Sequence, residues 1–393
     1  MSAVHSPGSS STPPTRPKQG RGWIIAIAVT VVVLLVLGVT TVVVKFHHTN
    51  SVASAATDPA AARATAATTV PLTVTSTTPV NGATGVPSDA TLSVQFSDNL
   101  SSTTPLPTIT PPVPGTWQAL TPSSLVFVPT GPIVPSTTET VTVPGGSGGV
   151  ESAAGKVLAQ PVTVQFTTAP GSVLRLQQLL AQLNYLPLSF TPSAPLSAPQ
   201  ELAQPQAGSF AWRWTAPSYL AALWVPGSSN TITRGAVMAF ENQHNLKTDG
   251  IAGPAVWTQL LTDAQAGTVD PSTYNYVYVR KSEPETATVY QNGVEVYSTL
   301  ANTGVAGAPT ADGTFPVYSR FKVTTMTGTN PDGTKYSDPG IPWVSYFNGG
   351  DALHGFVRGS YGYPQSDGCV EMPPAHAAVV FPYTPIGTLV TVA

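Results

Sequence analysis

Only 9% of the 393 residues are charged, against roughly a quarter in an average globular domain, and the formal net charge is −3. With 40 prolines and 34 glycines the composition suits loop-rich β modules and linkers, and it excludes the basic footprint of a nucleic-acid partner. The single cysteine, Cys369, excludes an intramolecular disulfide, and the length accommodates two to four domains.

Residues 1–22 are rich in Ser, Pro, Thr and Gly, hold Arg16, Lys18 and Arg21, and read as a disordered cytoplasmic tail. Residues 23–44 then run without a charge, long enough at about 1.5 Å per residue to cross a hydrocarbon core of about 30 Å. The expectation is a transmembrane anchor. More basic residues precede the span than follow it, where Lys45 stands, so the N-terminus is expected in the cytoplasm and the remainder outside the cell membrane. Ala53-Ser54-Ala55 offers the alternative of a cleaved signal peptide, but the apolar run far exceeds the roughly 7–15 residues of such a segment. His47 and His48 read as interfacial bystanders, and residues 45–70, dominated by Ala, Thr and Ser, as a flexible spacer.

From Pro71 the pattern changes to short alternating runs bounded by Pro and Gly. Thr91–Phe96, Ser124–Val128, Thr138–Val143 and Val162–Phe166 have the period of two of half-buried strands, so residues 71–169 are expected to form a β-sandwich. The stretch Pro79-Val80-Asn81-Gly82-Ala83-Thr84-Gly85-Val86-Pro87 resembles the opening turn of a bacterial Ig-like domain. The sandwich carries no cluster of titratable side chains and reads as a spacer before it reads as a wall-binding surface.

Residues 171–266 read as helical. Val173, Leu176, Leu180 and Leu183 fall at three- and four-residue spacing, and Val237, Met238 and Phe240 continue the pattern in a second segment from Thr233 to His244. Leu174–Leu179 and the turn Asp249-Gly250-Ile251-Ala252-Gly253-Pro254, followed by an expected short helix with Trp257, resemble a peptidoglycan-binding domain. The insert Pro187–Asn230 holds Trp212, Trp214 and Trp224. They could stack on sugars, but the core of a small domain is the preferred reading. His244 reads as a surface helix residue.

Strand-like runs return in residues 272–393, with Asn292-Gly293 signalling a tight hairpin turn. There Cys369 follows His354 by fifteen positions, across a glycine-rich stretch ending Ser366-Asp367-Gly368-Cys369-Val370-Glu371. A thiol is a strong nucleophile once deprotonated, and an imidazole within reach can take its proton. An unpaired thiol in an extracytoplasmic chain is a liability unless it is used. A buried structural cysteine and an unrelated histidine are the bland alternative.

The stretch resembles the His-Gly and Ser-His-Gly-Cys motif of the YkuD-type L,D-transpeptidases. Asn302-Thr303-Gly304, Pro309–Val317 and the ending Gly387–Val392 are similar to other parts of that family. Asp367 stands where the family usually has His, and Glu371 where it usually has Arg or Asn. An anion beside Cys369 disfavours the thiolate unless a positive charge compensates it.

The resemblance implies a multidomain, mainly β chain: an Ig-like β-sandwich, a small α-helical peptidoglycan-binding domain and a C-terminal YkuD-like β-sandwich. It implies acyl transfer between peptidoglycan stem peptides with Cys369 as nucleophile and His354 as base, the Gly355 carbonyl orienting the imidazole, and the N–H groups of Gly368 and Cys369 as oxyanion donors. Ser366, Asp367, Arg358, Trp343, Tyr346 and Tyr318 are the expected substrate contacts, Arg358 for a substrate carboxylate. The loop 326–350 is the expected lid. Stem peptides, glycan strands and carbapenem-type inhibitors are the expected partners, and no metal or cofactor is implied. Two alternatives stand beside this reading. One is a wall-binding protein with an impaired site, suggested by Asp367 and Glu371. The other is a sortase-like acyl transferase, disfavoured because no Arg follows Cys369.

Overall fold

The computed structural model describes residues 70–393. The expected tail, the membrane span at 23–44, His47, His48 and all but the last residue of the spacer lie outside them. Among the described residues no helix is long and apolar enough to cross a membrane.

The first domain packs two four-stranded sheets face to face. β1 (Val74–Thr78), β3 (Leu92–Phe96), β6 (Ser124–Pro129) and β5 (Gly115–Thr121) form one sheet; β2 (Ala83–Val86), β8 (Val162–Thr168), β7 (Thr138–Val143) and β4 (Thr108–Thr110) form the other. Alternation sends Leu92, Val94 and Phe96 inward against Phe127, Val141, Val164 and Phe166. β2, β4 and β5 escape the alternation rule because they bury few apolar side chains. In β5 only Trp117 is buried, tilted against Phe127 at 5.5 Å.

The second domain is built on α1 (Val173–Gln182), α3 (Thr231–Gln243) and α4 (Pro254–Ala266), with a single turn α2 (Ser218–Ala221) before α3. Ser172 caps α1 and Asn230 caps α3, each side chain accepting a bond from the backbone N–H three residues on. Pro254 opens α4 and Gly267, at φ 67°, closes it. The expected short helix around Trp257 is therefore as long as α3, because nothing between those two signals interrupts it. Glu241 is buried on α3 and accepts the Gly250 N–H at 2.8 Å, fixing the Asp249-Gly250 turn. Burial, with Asp249 beside it, pushes its carboxyl up to about 7.

The insert between α1 and α3 is organised by a hairpin, β9 (Leu188–Pro192) paired with β10 (Gly208–Trp212). Phe210 packs on Phe190 at 5.0 Å and on Trp224 at 5.1 Å, and Trp212 and Trp224 lie half-buried on the helical core. Trp214 covers Gly293 and meets Tyr274 at 5.6 Å. These rings are core and seam. His244 departs from its reading as a plain surface residue: its Nε2 lies 3.0 Å from Asp263 Oδ2, and its ring packs on Phe240 at 4.3 Å.

The third domain has two sheets. β13 (Val294–Leu300), β12 (Thr286–Gln291), β11 (Asn275–Arg280), β19 (Leu389–Val392) and β14 (Gly313–Pro316) form the first in that order; β15 (Ser319–Thr329), β16 (Lys335–Asn348), β17 (Asp351–Gly355) and β18 (Val370–Met372) form the second. Val277, Val279, Val289, Leu353, Val370, Met372 and Val390 fill the space between them, closed by α5 (Pro374–Val380). The helical domain sits on the outer face of the first sheet, with Tyr219 stacked on Tyr278 at 4.8 Å. A Cβ on Gly387 would stand 2.3 Å from the Gly235 carbonyl oxygen, so at that seam the two backbones touch.

The segment expected as a lid loop, 326–350, is mostly strand. β15 and β16 form one long hairpin closed by a turn at residues 330–334. Pro339 and Gly340 argue against a strand because each weakens a regular ladder. Here they are accommodated as a bulge: Asp338 pairs with Met326 and Ile341 with Thr324, leaving the two residues opposite Thr325, with Gly340 at φ 78°.

Candidate active site

Parallel pairing of β17 with β18 places His354 opposite Glu371 and Leu353 opposite Val370, so Cys369 ends the crossover loop beside the strand that carries His354. Both line a cavity of about 280 Å³ together with Phe356, Arg358, Ser366, Asp367 and Glu371 from the loop and β18, and Met326, Asn330, Tyr336, Asp338 and Ile341 from the hairpin. His354 is buried, and its Nδ1 lies 3.1 Å from the Gly355 carbonyl oxygen. A carbonyl only accepts, so the proton of the neutral ring sits on Nδ1 and Nε2 keeps its lone pair. Burial holds the imidazole below its ordinary pKa; the Gly355 bond and the Glu371 charge oppose that shift in part. The ring is therefore neutral at neutral pH.

Cys369 is half-buried and its thiol points to the Gly350 carbonyl oxygen at 3.7 Å. Burial pushes the thiol up to about 12, with Asp351, Glu371 and Asp367 adding to the shift and the Ala352 N–H drawing it back. At neutral pH the cavity therefore holds a neutral thiol and a neutral imidazole.

The turn carrying Cys369 is fastened on three sides. Ser366 Oγ donates to the Cys369 carbonyl at 2.6 Å and Thr310 Oγ1 to the same oxygen at 3.3 Å. Val305 donates to the Ser366 carbonyl, and Asn302 exchanges both backbone bonds with Glu371 at 2.9 Å. Behind them Glu285 is fully buried and accepts from the Thr303 N–H and hydroxyl at 2.6 and 2.7 Å. Asn302-Thr303-Gly304 and Thr310 are therefore the scaffold of the cysteine turn.

Four expected roles change. The Gly368 N–H donates to Ser366 Oγ at 3.3 Å, whereas the Cys369 N–H has no acceptor among the described residues, so of the two expected donors Cys369 alone is free. Ser366 is buried and bonded within the turn, so it shapes the site more than it meets substrate. Trp343 packs against the domain core and Phe381 at 5.5 Å, outside the cavity, because its φ of 59° turns it from the strand's alternation. Arg358 is no free carboxylate clamp: its Nε and Nη2 each lie 2.8 Å from an oxygen of Glu371.

Asp367 is exposed and lines the cavity together with Cys369. Tyr318 and Tyr346 lie 6.1 Å apart, outside the cavity lining, Tyr318 donating to the Gly349 carbonyl. Burial raises both phenols, and the Asp351 carboxylate adds to the shift at Tyr318.

Sequence reasoning missed Tyr336, Asp338, Ile341, Asn330 and Phe356, and counted Met326 only as the start of a loop. Their signal is the period of two in β16, which turns Tyr336 and Asp338 to one face, and in β15 the register that sets Met326 opposite Asp338. Among the described residues no group of three or more His, Cys, Asp or Glu side chains is placed to hold a metal ion.

Residues 274–392 match the L,D-transpeptidase catalytic domain family, YkuD; residues 68–168 match a bacterial Ig-like domain and residues 219–260 a putative peptidoglycan binding domain. That last match begins after α1 and the β9–β10 hairpin, although α1 shares the helical core. No curated protein sequence matches the chain. Similar solved structures include an L,D-transpeptidase from Mycobacterium smegmatis (14% identity, covering 82% of this chain and 100% of that one, TM-score 0.28). Another is the catalytic domain of the E. faecium L,D-transpeptidase acylated by ertapenem (26% identity, 32% of this chain, 100% of that one, TM-score 0.28). A third is L,D-transpeptidase 3 from Mycobacterium tuberculosis (13% identity, 81% and 98%, TM-score 0.28).

Proposed function

We propose, from the match of residues 274–392 to the YkuD L,D-transpeptidase catalytic domain family, that the chain cross-links peptidoglycan stem peptides through a thioester on Cys369. The observation that carries this reading is the convergence, in one cavity, of the unpaired thiol with an imidazole whose Nδ1 is committed to a backbone carbonyl. His354 Nε2 takes the proton of Cys369 as the sulfur attacks the carbonyl of the third stem residue. The Cys369 N–H donates to the oxyanion, and the imidazolium protonates the departing terminal residue, leaving the thioester and a neutral His354. The amine of a second stem then attacks the thioester, its proton passes to His354 and on to the leaving sulfur, and an amide remains. Atoms and protons balance without a cofactor.

The test is incubation of the full-length chain with a pair of tetrapeptide stems, one of them isotopically labelled. A mixed cross-linked product lighter by one terminal residue supports the reading. Release of the terminal residue without a dimer would make the chain a hydrolase. No reaction with either would favour the alternative, a wall-binding protein with an impaired site, for which the carboxylates Asp367 and Glu371 in the cavity with Cys369 are the motivating observation.

The run at 23–44 is further proposed as an uncleaved anchor, N-terminus cytoplasmic, that holds the Ig-like, peptidoglycan-binding and catalytic domains outside the membrane. Full-length chain in the membrane fraction after an alkaline carbonate wash is the expected result; recovery of a shortened chain in the supernatant would point to cleavage.

A further inference from the structure

Arg358 stands at the centre of a set of contacts that the reaction scheme above leaves unused. Its fork holds both oxygens of Glu371 at 2.8 Å, and Nη2 also reaches the Gln365 carbonyl at 3.3 Å, one residue before Ser366. The guanidinium lies over the Phe356 ring at 4.6 Å, and that ring meets His354 edge-on at 6.2 Å. Glu371 is only 4% exposed and lies opposite His354 in the strand pairing. A buried carboxylate without a counter-ion is costly, and a bidentate guanidinium is the partner whose geometry matches it.

Resting on the thiol–imidazole reading of the site, we propose that Arg358 is a positioning residue and the internal counter-ion of the reaction centre. It permits a buried carboxylate beside the nucleophile while fastening the arm that carries His354 to the turn that carries Cys369. The groups facing the thiol and imidazole are Asp351 on β17, Asp367 and Glu371 around the turn, Tyr318 just before β15, Tyr336 and Tyr346 on the hairpin, and Arg358 itself. Three of these are carboxylates, and Arg358 supplies the opposing positive charge. The alternative role for Arg358, a contact for a substrate carboxylate, would need its fork to leave Glu371.

Because Cys369 is the chain's single cysteine, its ionisation can be read without turnover. The experiment measures the rate of alkylation by iodoacetamide at fixed pH on the full-length chain, for the wild type, R358M, E371Q and the double variant R358M/E371Q, with unfolding temperatures recorded in parallel. Imipenem acylation of the same four proteins is the second readout. In R358M the uncompensated Glu371 is expected to slow alkylation about tenfold, the equivalent of one pH unit. E371Q is expected to speed it by a similar factor, and the double variant to return within about threefold of the wild type.

Equal slowing in R358M and the double variant would reduce the pair to packing and overturn the proposal, as would an unchanged rate in both single variants. If R358M does not fold, E371Q decides alone: no acceleration overturns it. Alkylation that follows this pattern while imipenem leaves the wild type unmodified would uphold the counter-ion and sink the transpeptidase reading, so the two failures stay distinct.

Discussion

Cys369→Ala is expected to abolish covalent capture of a carbapenem, seen as loss of the mass adduct on the intact chain, and His354→Ala to slow capture by about a thousandfold. A carbapenem is a strained acyl donor, so it isolates the first half-reaction from any question of acceptor. The size of the His354 effect follows from the resting state. With burial pushing the thiol up to about 12, almost no thiolate is present near neutral pH, and attack depends on a base positioned to remove the proton. The pH dependence has a definite sign. Burial holds His354 below its ordinary value of about 6.5, so Nε2 stays unprotonated through the neutral range. The capture rate should fall only at pH below that value. An acid limb centred above pH 7 would contradict a neutral imidazole base, and an undiminished adduct in Cys369→Ala would remove the nucleophile from the scheme altogether.

The parts of the site legible in the sequence are those whose chemistry is local. A lone cysteine and a histidine fifteen residues before it mark Cys369 and His354 as a candidate pair, whereas the Gly355 carbonyl follows only from the resemblance to the YkuD-type family. The strands of the sandwich that alternate cleanly, such as Leu92–Phe96, were legible for the same reason. What failed was long-range. Arg358 and Glu371 are thirteen positions apart, and only the parallel crossover brings the fork onto the carboxylate. Read separately, each invited a different role: Arg358 a substrate contact, Glu371 an anion harmful to the thiolate.

The hairpin was hidden by Pro339 and Gly340, whose breaker character is real but is absorbed by the bulge opposite Thr325. Tyr336 and Asp338 went unread with it, since a mixed polar run shows no apolar alternation. Trp343 failed for a conformational reason, its positive φ, which no pattern of neighbours betrays. In the helical domain the same limit applies to His244, a partner of Asp263 on another helix.

Gly304→Ala should be the most damaging of the small substitutions near the site, though Gly304 does not line the cavity and carries no side chain. A Cβ built there stands 2.1 Å from the Ala308 carbonyl oxygen, 2.6 Å from the Thr310 nitrogen and 2.9 Å from the Gly368 nitrogen. All three are backbone atoms, so none can swing aside as the end of a flexible side chain would. The Gly304 N–H also donates to Thr310 Oγ1 at 2.8 Å, and that hydroxyl donates in turn to the Cys369 carbonyl. A methyl group must therefore drive apart the two segments that hold the nucleophile turn.

Overpacking of this kind costs about 1–3 kcal/mol in stability. A displacement on the order of 1 Å at the sulfur is enough to lower reaction rates by about a hundredfold. Gly359 is the control: it lies in the same crossover loop with open space where its Cβ would stand, and Gly359→Ala should leave unfolding temperature and carbapenem capture close to the wild type. Stability near the wild type with capture lost in Gly304→Ala would mean that the turn yields and the core does not. Full stability and full capture would show that the contact between the two segments has slack, and that the scaffold assigned to Asn302-Thr303-Gly304 and Thr310 does not hold the nucleophile in place.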